Sequence, residues 1–327
     1  MMGNLGKRIS NRIKITAQAF CSDCHFSVYY ACLRVAAELG GRLGLRRLAE
    51  RARQRKDRWI MEYLRKELDG VVSRFSVDTD QGTPVPNAPI WVCWWTGEDT
   101  APPLVKKCIQ SIRANAVCHP VHLITKEDYG QYLTIPDYIL EKVAAKQMGL
   151  AHLADYIRVK LLAQYGGLWL DATMFCSAAV PEGCFSAPVF TCKGPVRPSS
   201  YISNYRWVTF CLGGWRGNVF YRFLSEAFEA YWKQNRRAVD YLFFDHIILM
   251  AYERIPAVKA LLDAVPENNI HRDGLQAAMN AALPASQWDT VIHLDTVLYK
   301  LSWREQYAEK TPDRKESIYG YFLTQKL

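Results

Sequence analysis

The chain contains 327 residues, of which 50% are hydrophobic, 22% charged and 13% aromatic. This composition excludes a disordered, collagen-like or coiled-coil protein and supplies enough apolar side chains for a sizeable globular core. The net charge is +9, and residues 1–80 carry 16 Lys and Arg against 9 Asp and Glu, so most of the excess lies in the first quarter. A localised basic segment predicts contact with an anionic surface, either membrane lipid or nucleic acid.

No stretch approaches the roughly 18 apolar residues needed to span a bilayer, and the basic N-terminus lacks a convincing secretory signal core. We therefore expect a cytoplasmic protein. The ten cysteines are scattered along the chain, which favours reduced thiols over a disulfide framework. Cys21-Ser-Asp-Cys24-His25 matches the c-type haem attachment pattern. Because haem attachment requires export, we predict neither haem nor a zinc site there.

Residues 7–70 carry apolar side chains at helical spacing in two runs, and Gly40-Gly41 is predicted to separate the two helices. The second helix is rich in arginine. Its basic face is either a solvated helix surface or a membrane contact, in which case each basic residue near anionic lipid contributes about 1 kcal/mol. We predict a basic helical N-terminal region over residues 1–76, a polar, proline-bearing linker over 77–89 and a second domain over 90–327.

From residue 90 onward, short apolar strands alternate with helices, which predicts an α/β fold with a mostly parallel sheet. The domain contains no recognisable nucleic-acid-binding module, so nucleic acid is not an expected partner. The predicted strands are Ile90–Trp94, Val121–Thr125, Leu168–Leu170 and one near Trp207–Leu212. The predicted helices are Pro102–Ala116, one beginning near Lys126, and three over about 150–164, 217–234 and 240–253.

The most informative stretch lies between residues 151 and 173. It reads as a helix, a pair of glycines, a buried three-residue strand and then an acid, Asp171, at the carboxyl end of that strand. Open α/β sheets bind ligands outside the carboxyl ends of their strands, so Asp171 could hold a metal ion or a sugar hydroxyl. Asp155 and Arg158 share one face of the helix. By spacing alone, these two residues could equally pair with each other and tie the helix to the sheet.

This stretch resembles the signature of the capsular polysaccharide synthesis glycosyltransferases, relatives of the DXD-containing sugar transferases of glycosyltransferase family 32. That signature is an Asp-x-x-Arg helix, Tyr-Gly-Gly, an apolar strand and Asp-x-Asp. The matching segments here are Asp155-Tyr-Ile-Arg158, Tyr165-Gly166-Gly167, Leu-Trp-Leu and Asp171.

Two further segments extend the resemblance over about residues 88–327. Trp95-Thr96-Gly97 is similar to the family's Trp-x-Gly turn near the nucleotide. The segment Lys300-Leu-Ser302-Trp303 is similar to a C-terminal segment that reaches the donor diphosphate.

The resemblance implies a GT-A-like fold, in which a sheet flanked by helices binds a sugar nucleotide at its carboxyl edge. Asp155 would contact the nucleoside or the donor sugar, with Arg158 near that sugar or paired with Asp155, and Asp171 would face the ribose and a divalent metal. The implied donor-binding set is Trp95, Thr96, Gly97, Asp155, Arg158, Tyr165, Gly166, Gly167, Asp171, Lys300, Ser302 and Trp303.

The implied cofactor is Mn²⁺ or Mg²⁺, with Asp171 and His293 as candidate ligands. One departure from the signature bears on it: Thr173 replaces the second acid of Asp-x-Asp. A neutral hydroxyl is a poor ligand for a hard cation compared with a carboxylate. The metal is therefore either held by Asp171, the diphosphate and water, with or without His293, or dispensable.

The resemblance makes Asp155 and Asp171 candidate catalytic residues. Asp245 is a third candidate, because the segment Asp240-Tyr-Leu-Phe-Phe-Asp245-His246 falls where chains of this family line the acceptor side. It could position the acceptor hydroxyl or transfer its proton; equally, Asp240 could cap a helix and Asp245-His246 form a buried polar pair. Gly213-Gly214 could allow a ligand close to the backbone, and a β-bulge explains the pair equally well.

We therefore predict a glycosyltransferase of bacterial surface polysaccharide assembly. It would transfer a sugar from a nucleotide-sugar, by resemblance a uridine diphosphate sugar, with retention of configuration. The predicted acceptor is a lipid-linked oligosaccharide at the inner face of the membrane, which residues 1–76 could touch. The alternative is a non-catalytic glycan- or nucleotide-binding scaffold on a decayed transferase fold, suggested by Thr173.

Overall fold

The computed structural model describes residues 16–199, 201–283 and 288–325. The chain divides into two compact units, Met1–Asp69 with Arg237–His246, and Gly70–Arg236 with Ile247–Leu327. Among the described helices, none combines the length and the apolar character that a bilayer span requires.

The first unit is helical in its described part. Its helices are α1 (residues 16–23), α2 (Val28–Arg42), the start of α3 (Arg46–Phe75) and the start of α8 (Phe243–Arg254). The two predicted helical runs are thus present, but the predicted break at Gly40-Gly41 is wrong. Helix α2 continues through both glycines, and the turn falls at residues 43–45 around Gly44, whose φ is +73°. Gly40 instead packs against Ala49, where a Cβ would lie 3.2 Å from the alanine Cβ.

The second unit contains a five-stranded sheet, whose strands are β1 (Ile90–Cys93), β2 (Val121–Ile124), β3 (Gly167–Leu170), β5 (Val189–Thr191) and β6 (Cys211–Gly214). They lie in the order β2-β1-β3-β6-β5. Strands β2, β1 and β3 are parallel, whereas β6 is antiparallel to both of its neighbours. The prediction of a mixed α/β fold with a parallel-rich sheet is confirmed, with an antiparallel strand inserted beside β3.

A separate two-stranded ribbon pairs β4 (Met174–Cys176) antiparallel with β7 (Leu298–Lys300). The remaining helices are α4 (Pro103–Ala114), α5 (Asp137–Ala144), α6 (Leu150–Tyr165), α7 (Val219–Gln234), α9 (Pro256–Ala264), α10 (Gly274–Ala278) and α11 (Ile318–Thr324). The helix predicted to begin near Lys126 begins later, after a 3₁₀ turn over Tyr129–Gln131.

Glycines allow β3 to pack closely on its neighbours. Gly167 has φ +96°, and a Cβ there would lie 2.2 Å from the Pro89 carbonyl oxygen. Gly213 and Gly214 lie within β6, where added Cβ atoms would meet Leu168 at 3.0 Å and the Pro188 carbonyl oxygen at 2.1 Å. These two glycines therefore serve the packing of the sheet. Strand β3 is fully buried, and the chain leaves it at Asp171.

Candidate active site

Asp171 is held at the carboxyl end of β3 by backbone hydrogen bonds. Its N–H donates to the Phe210 carbonyl at 2.9 Å, and its own carbonyl accepts from Met174 N–H at 2.8 Å, closing the turn that leads into β4. Its side chain is 29% exposed. A carboxylate therefore lies at the edge of the sheet where α/β proteins bind ligands.

Helix α6 supplies a buried guanidinium to this carboxylate. Arg158, with a side chain only 5% exposed, donates from Nη1 to Asp155 Oδ1 and from Nη2 to Asp171 Oδ1, both at 2.9 Å. Its guanidinium also lies 4.7 Å from the centre of the Trp169 ring. The expected pairing of Asp155 with Arg158 is thus present, and the same guanidinium reaches Asp171. A planar fork suits this double role.

The β4–β7 ribbon supplies a second cation from a distant part of the sequence. Met174 on β4 is paired with Lys300 on β7, and Leu301 N–H donates to the Thr173 carbonyl at 3.0 Å. This register aims the Lys300 ammonium at both ends of the Asp-Ala-Thr segment. Nζ lies 3.0 Å from Asp171 Oδ2 and 2.7 Å from Thr173 Oγ1.

The electrostatics of the cluster favour an ionised Asp171. Burial is the largest single effect and raises the pKa of this carboxyl, whereas the positive charges of Lys300 and Arg158 lower it. A hydrogen bond of 3.0 Å from Trp169 Nε1 to Oδ1 acts in the same direction. The net pKa of Asp171 lies below the ordinary value of 3.8, so Asp171 is ionised at neutral pH.

The side chains around Asp171 do not fit a divalent ion. Both carboxylate oxygens and the Thr173 hydroxyl are already bonded to cationic or indole donors. A dication and an ammonium about 4 Å apart repel by roughly 8 kcal/mol at an effective dielectric constant near 20. In the part of the chain that the structure describes, there are two groups of three residues whose potential metal-ligand atoms lie within 4.8 Å of one another inside the group. Neither group contains Asp171. His293 belongs to one of them, with His271 and Asp295.

The turn after β1 holds three of the predicted donor-binding residues. Trp95 packs against Tyr129 with ring centres 5.4 Å apart, Thr96 Oγ1 lies 2.7 Å from Thr100 Oγ1, and Gly97 has φ +83°. In the C-terminal segment, Ser302 Oγ accepts from the backbone of residue 304, and Trp303 is 45% exposed. Their donor-binding roles stay predictions.

The Tyr165-Gly166-Gly167 segment has evident structural roles. Tyr165 donates from its hydroxyl to the Tyr132 carbonyl at 2.8 Å, and the Gly166 carbonyl accepts from Trp91 Nε1 at 2.9 Å. Gly166 has φ +68° and ends α6. These contacts fix the path from α6 into β3, and any contact with a donor would come in addition.

Asp245 lies on α8, in the first compact unit. It is half-buried, and the neighbouring His246 is fully buried with Nε2 3.6 Å from Asp57 Oδ1. Asp240 lies three residues before α8 begins, and its side chain accepts from Leu242 N–H at 2.9 Å within the turn that precedes the helix, so it is not the cap of α8. The acceptor-side role of Asp245 stays a prediction.

Sequence reasoning did not find two features of the cluster. The first is the indole N–H of Trp169, which donates to Asp171; the alternation of side chains along a strand gives residues 169 and 171 the same face, which was the available signal. The second is the partnership of Thr173 with Lys300. No local pattern joins these two residues, since they are 127 positions apart.

The fold and this cluster define a mixed α/β protein with a charged site at the carboxyl edge of a parallel-rich sheet. The family model described as capsular polysaccharide synthesis protein matches residues 43–322. The chain therefore belongs to the capsular polysaccharide synthesis protein family.

A more distant relative is the O-glycosyltransferase braB of Annulohypoxylon truncatum, which is 26% identical over 159 residues. The match covers 44% of this chain and 37% of that protein's length, so the chain spans well under half of this relative. No solved structure matches the chain significantly.

Proposed function

We propose that the protein is a glycosyltransferase that moves a sugar from a nucleotide-sugar, of the uridine diphosphate class, to a lipid-linked oligosaccharide during bacterial surface polysaccharide synthesis. The observation that carries the proposal is the cluster of Asp155, Arg158, Asp171 and Lys300 at the carboxyl end of β3. Membership of the capsular polysaccharide synthesis family supports the process, and the similarity to an O-glycosyltransferase supports the reaction.

In this proposal, the site separates recognition of the sugar from neutralisation of the phosphate. Asp155 and Asp171 are acceptors suited to ribose or sugar hydroxyl groups, while Lys300 and Ser302 face the diphosphate. Arg158 holds both carboxylates in place from a buried position. Cleavage of the bond between C1 and the phosphate oxygen leaves a charged diphosphate, and fixed donors at that point stabilise the transition state.

We further propose that transfer proceeds with retention of configuration. Asp171 is shared by two cations and has a lowered pKa, which makes it a poor base at neutral pH. A route in which the leaving phosphate takes the proton of the acceptor hydroxyl does not need such a base.

A surface at the turn between α2 and α3 supports a membrane contact. Leu43, Leu45 and Leu48 are 72%, 51% and 55% exposed, and exposed arginines at 42, 46, 47 and 51 surround them. Apolar side chains ringed by basic ones are typical of segments that bind the interface of an anionic membrane. We propose that this leucine turn docks the protein on the inner face of the membrane, where a lipid-linked acceptor would be presented.

The first experiment measures nucleotide binding and turnover. Thermal stabilisation of wild type by a panel of nucleoside diphosphates should be selective for uridine diphosphate, at about 2.7 kcal/mol for a hundredfold excess over the dissociation constant. Asp171→Asn should lose the shift. Asp263→Asn removes a surface carboxylate that pairs with Lys259 and is the matched control. Binding without consumption of any sugar nucleotide would favour the scaffold alternative, and no binding by folded protein would refute the proposal.

A second experiment tests the membrane contact by co-sedimentation with vesicles containing phosphatidylglycerol. Leu43→Glu combined with Leu45→Glu should reduce binding at least tenfold, and added salt should weaken binding by wild type. Leu294→Glu alters a fully exposed leucine of the second unit and should leave binding unchanged. Equal binding by all three proteins would refute the docking surface.

A further inference from the structure

We propose that the ammonium group of Lys300 is the built-in cation of this site and performs, at the donor diphosphate, the neutralising role that the Asp-x-Asp signature assigns to a divalent ion. The inference rests on the proposed function, since it concerns the leaving group of that reaction. It follows from the side chains around Asp171: the oxygens that would bind a metal ion in the Asp-x-Asp signature are hydrogen-bonded here to the Lys300 ammonium.

Lys300 is fixed from both sides. Its backbone belongs to β7, which pairs with β4 directly after the Asp171–Thr173 segment. Its Nζ donates to Asp171 Oδ2 at 3.0 Å and to Thr173 Oγ1 at 2.7 Å, and it lies 5.0 Å from the centre of the Phe210 ring. An ammonium on one strand that is hydrogen-bonded to two oxygens of the neighbouring Asp171–Thr173 segment is a preorganised charge.

One donor of this ammonium remains available to a ligand. An ammonium has three N–H donors, and two of them bond to Asp171 and Thr173. Over residues 16–199, 201–283 and 288–325, no third hydrogen-bond acceptor contacts Nζ. The Lys300 side chain is 23% exposed, so the third donor can reach an oxygen of a bound diphosphate.

Thr173 is the substitution that suits this arrangement. A hydroxyl can accept a hydrogen bond from an ammonium, whereas Mg²⁺ and Mn²⁺ favour carboxylate oxygens. An aspartate at position 173 would add a second negative charge beside Asp171 and favour a dication there. The Thr173 hydroxyl and the Lys300 ammonium together therefore favour an ammonium over a dication beside Asp171.

In this proposal, the sugar is transferred by one exchange of bonds at C1 and one proton transfer, with Lys300 as the cation at the leaving phosphate. The bond between C1 of the donor sugar and the β-phosphate oxygen breaks, and its electron pair stays on that oxygen. A bond forms between C1 and the acceptor oxygen, and the acceptor's proton passes to the leaving phosphate. Lys300 remains protonated throughout and donates to the phosphate oxygen on which charge grows. Charge-assisted hydrogen bonds of this kind are stronger than hydrogen bonds between neutral groups.

The test uses the full-length protein, a panel of uridine diphosphate sugars, and EDTA followed by titrated Mn²⁺. Turnover and uridine diphosphate affinity of wild type should change less than twofold between EDTA and Mn²⁺. Lys300→Met, which keeps most of the length of the unbranched side chain and removes its charge, should lower turnover about 10²–10³-fold, as expected for loss of one oxyanion donor. Mn²⁺ should not restore it. Lys315→Met changes a surface lysine paired with Asp313 and should behave as wild type.

The outcomes separate the two proposals. Wild-type turnover that EDTA abolishes and Mn²⁺ restores would overturn the role of Lys300 and leave the transferase intact. Turnover by Lys300→Met within threefold of wild type would overturn that role as well. Neither turnover nor nucleotide binding by folded wild type, with or without Mn²⁺, would refute the transferase itself and this inference with it. If Lys300→Met fails to fold, the comparison of wild-type turnover in EDTA and in Mn²⁺ decides whether the site needs a metal ion. Lys300→Arg, which keeps the positive charge, should then retain turnover in EDTA.

Discussion

Replacing Arg158 by methionine should destabilise the second unit more than any surface ion-pair mutation. Its guanidinium is buried, and it joins Asp155 to Asp171 through two hydrogen bonds of 2.9 Å. Removing one partner of a buried ion pair typically costs about 3–5 kcal/mol, because the remaining charge is left uncompensated. Asp171 keeps its bond to Lys300 and is 29% exposed, which reduces the expected loss to about 2–4 kcal/mol.

Thermal unfolding measures this loss. For a unit of the size of Gly70–Arg236 with Ile247–Leu327, each kcal/mol lowers Tm by about 2–4 °C, so Arg158→Met should unfold roughly 4–16 °C below wild type. The matched control is Arg222→Met, which removes a 36% exposed arginine paired with Asp78 and Asp80. Surface pairs contribute about 0–1 kcal/mol, so its Tm should fall by no more than about 4 °C.

A double-mutant cycle separates loss of charge balance from loss of packing. If the uncompensated carboxylate causes the destabilisation, Arg158→Met with Asp155→Asn should recover part of the lost stability, because neighbouring groups couple by about 0.5–3 kcal/mol. Arg158→Lys should be intermediate, since one ammonium cannot bridge both carboxylates as a fork does. Equal Tm values for Arg158→Met and Arg222→Met would refute this account of the cluster.

Three further changes test other parts of the site. Because the folded pKa of Asp171 is lowered, its stabilising effect is present above the unfolded pKa and lost as pH falls through the folded pKa. The Tm difference between wild type and Asp171→Asn should therefore be largest near pH 7 and shrink below about pH 4. Trp169→Phe removes the N–H donor to that carboxylate and should cost about 1.5–3 kcal/mol in chemical denaturation; no loss would show that the bond is dispensable. Gly167→Ala forces a Cβ to within 2.2 Å of the Pro89 carbonyl oxygen and should reduce soluble, folded protein sharply, whereas Gly149→Ala meets nothing within 4 Å and should express normally.

Local patterns in the sequence predicted the order of elements around the site. Helical spacing before the paired glycines, the apolar run after them and the acid that follows placed α6, β3 and Asp171 correctly, because each is determined by residues within one turn or one strand. The glycines of this segment carry backbone geometry that side chains cannot adopt. The same reasoning failed at Gly40, where close packing on Ala49 within the helical unit, and not a helix end, explains the glycine.

The motif resemblance also indicated the family, and the match over residues 43–322 confirmed it. The sequence did not predict which cations contact Asp171. The spacing of Asp155 and Arg158 allowed a simple pair, but only the tertiary structure brings the guanidinium across to the β3 carboxyl end and the Lys300 ammonium onto Asp171 and Thr173.

Features of this site that depend on residues close in the chain could be predicted from the sequence, whereas features that depend on distant residues could not. Helix and strand formation, glycine geometry and the acid after β3 depend on near neighbours and are therefore visible in the sequence itself. The charge balance of the site depends on pairing β4 with β7, which brings Lys300 onto Thr173, the residue before β4 and 127 positions away in the chain. Because that pairing is set by packing of the whole second unit, only the folded structure reveals which cation faces the carboxylate.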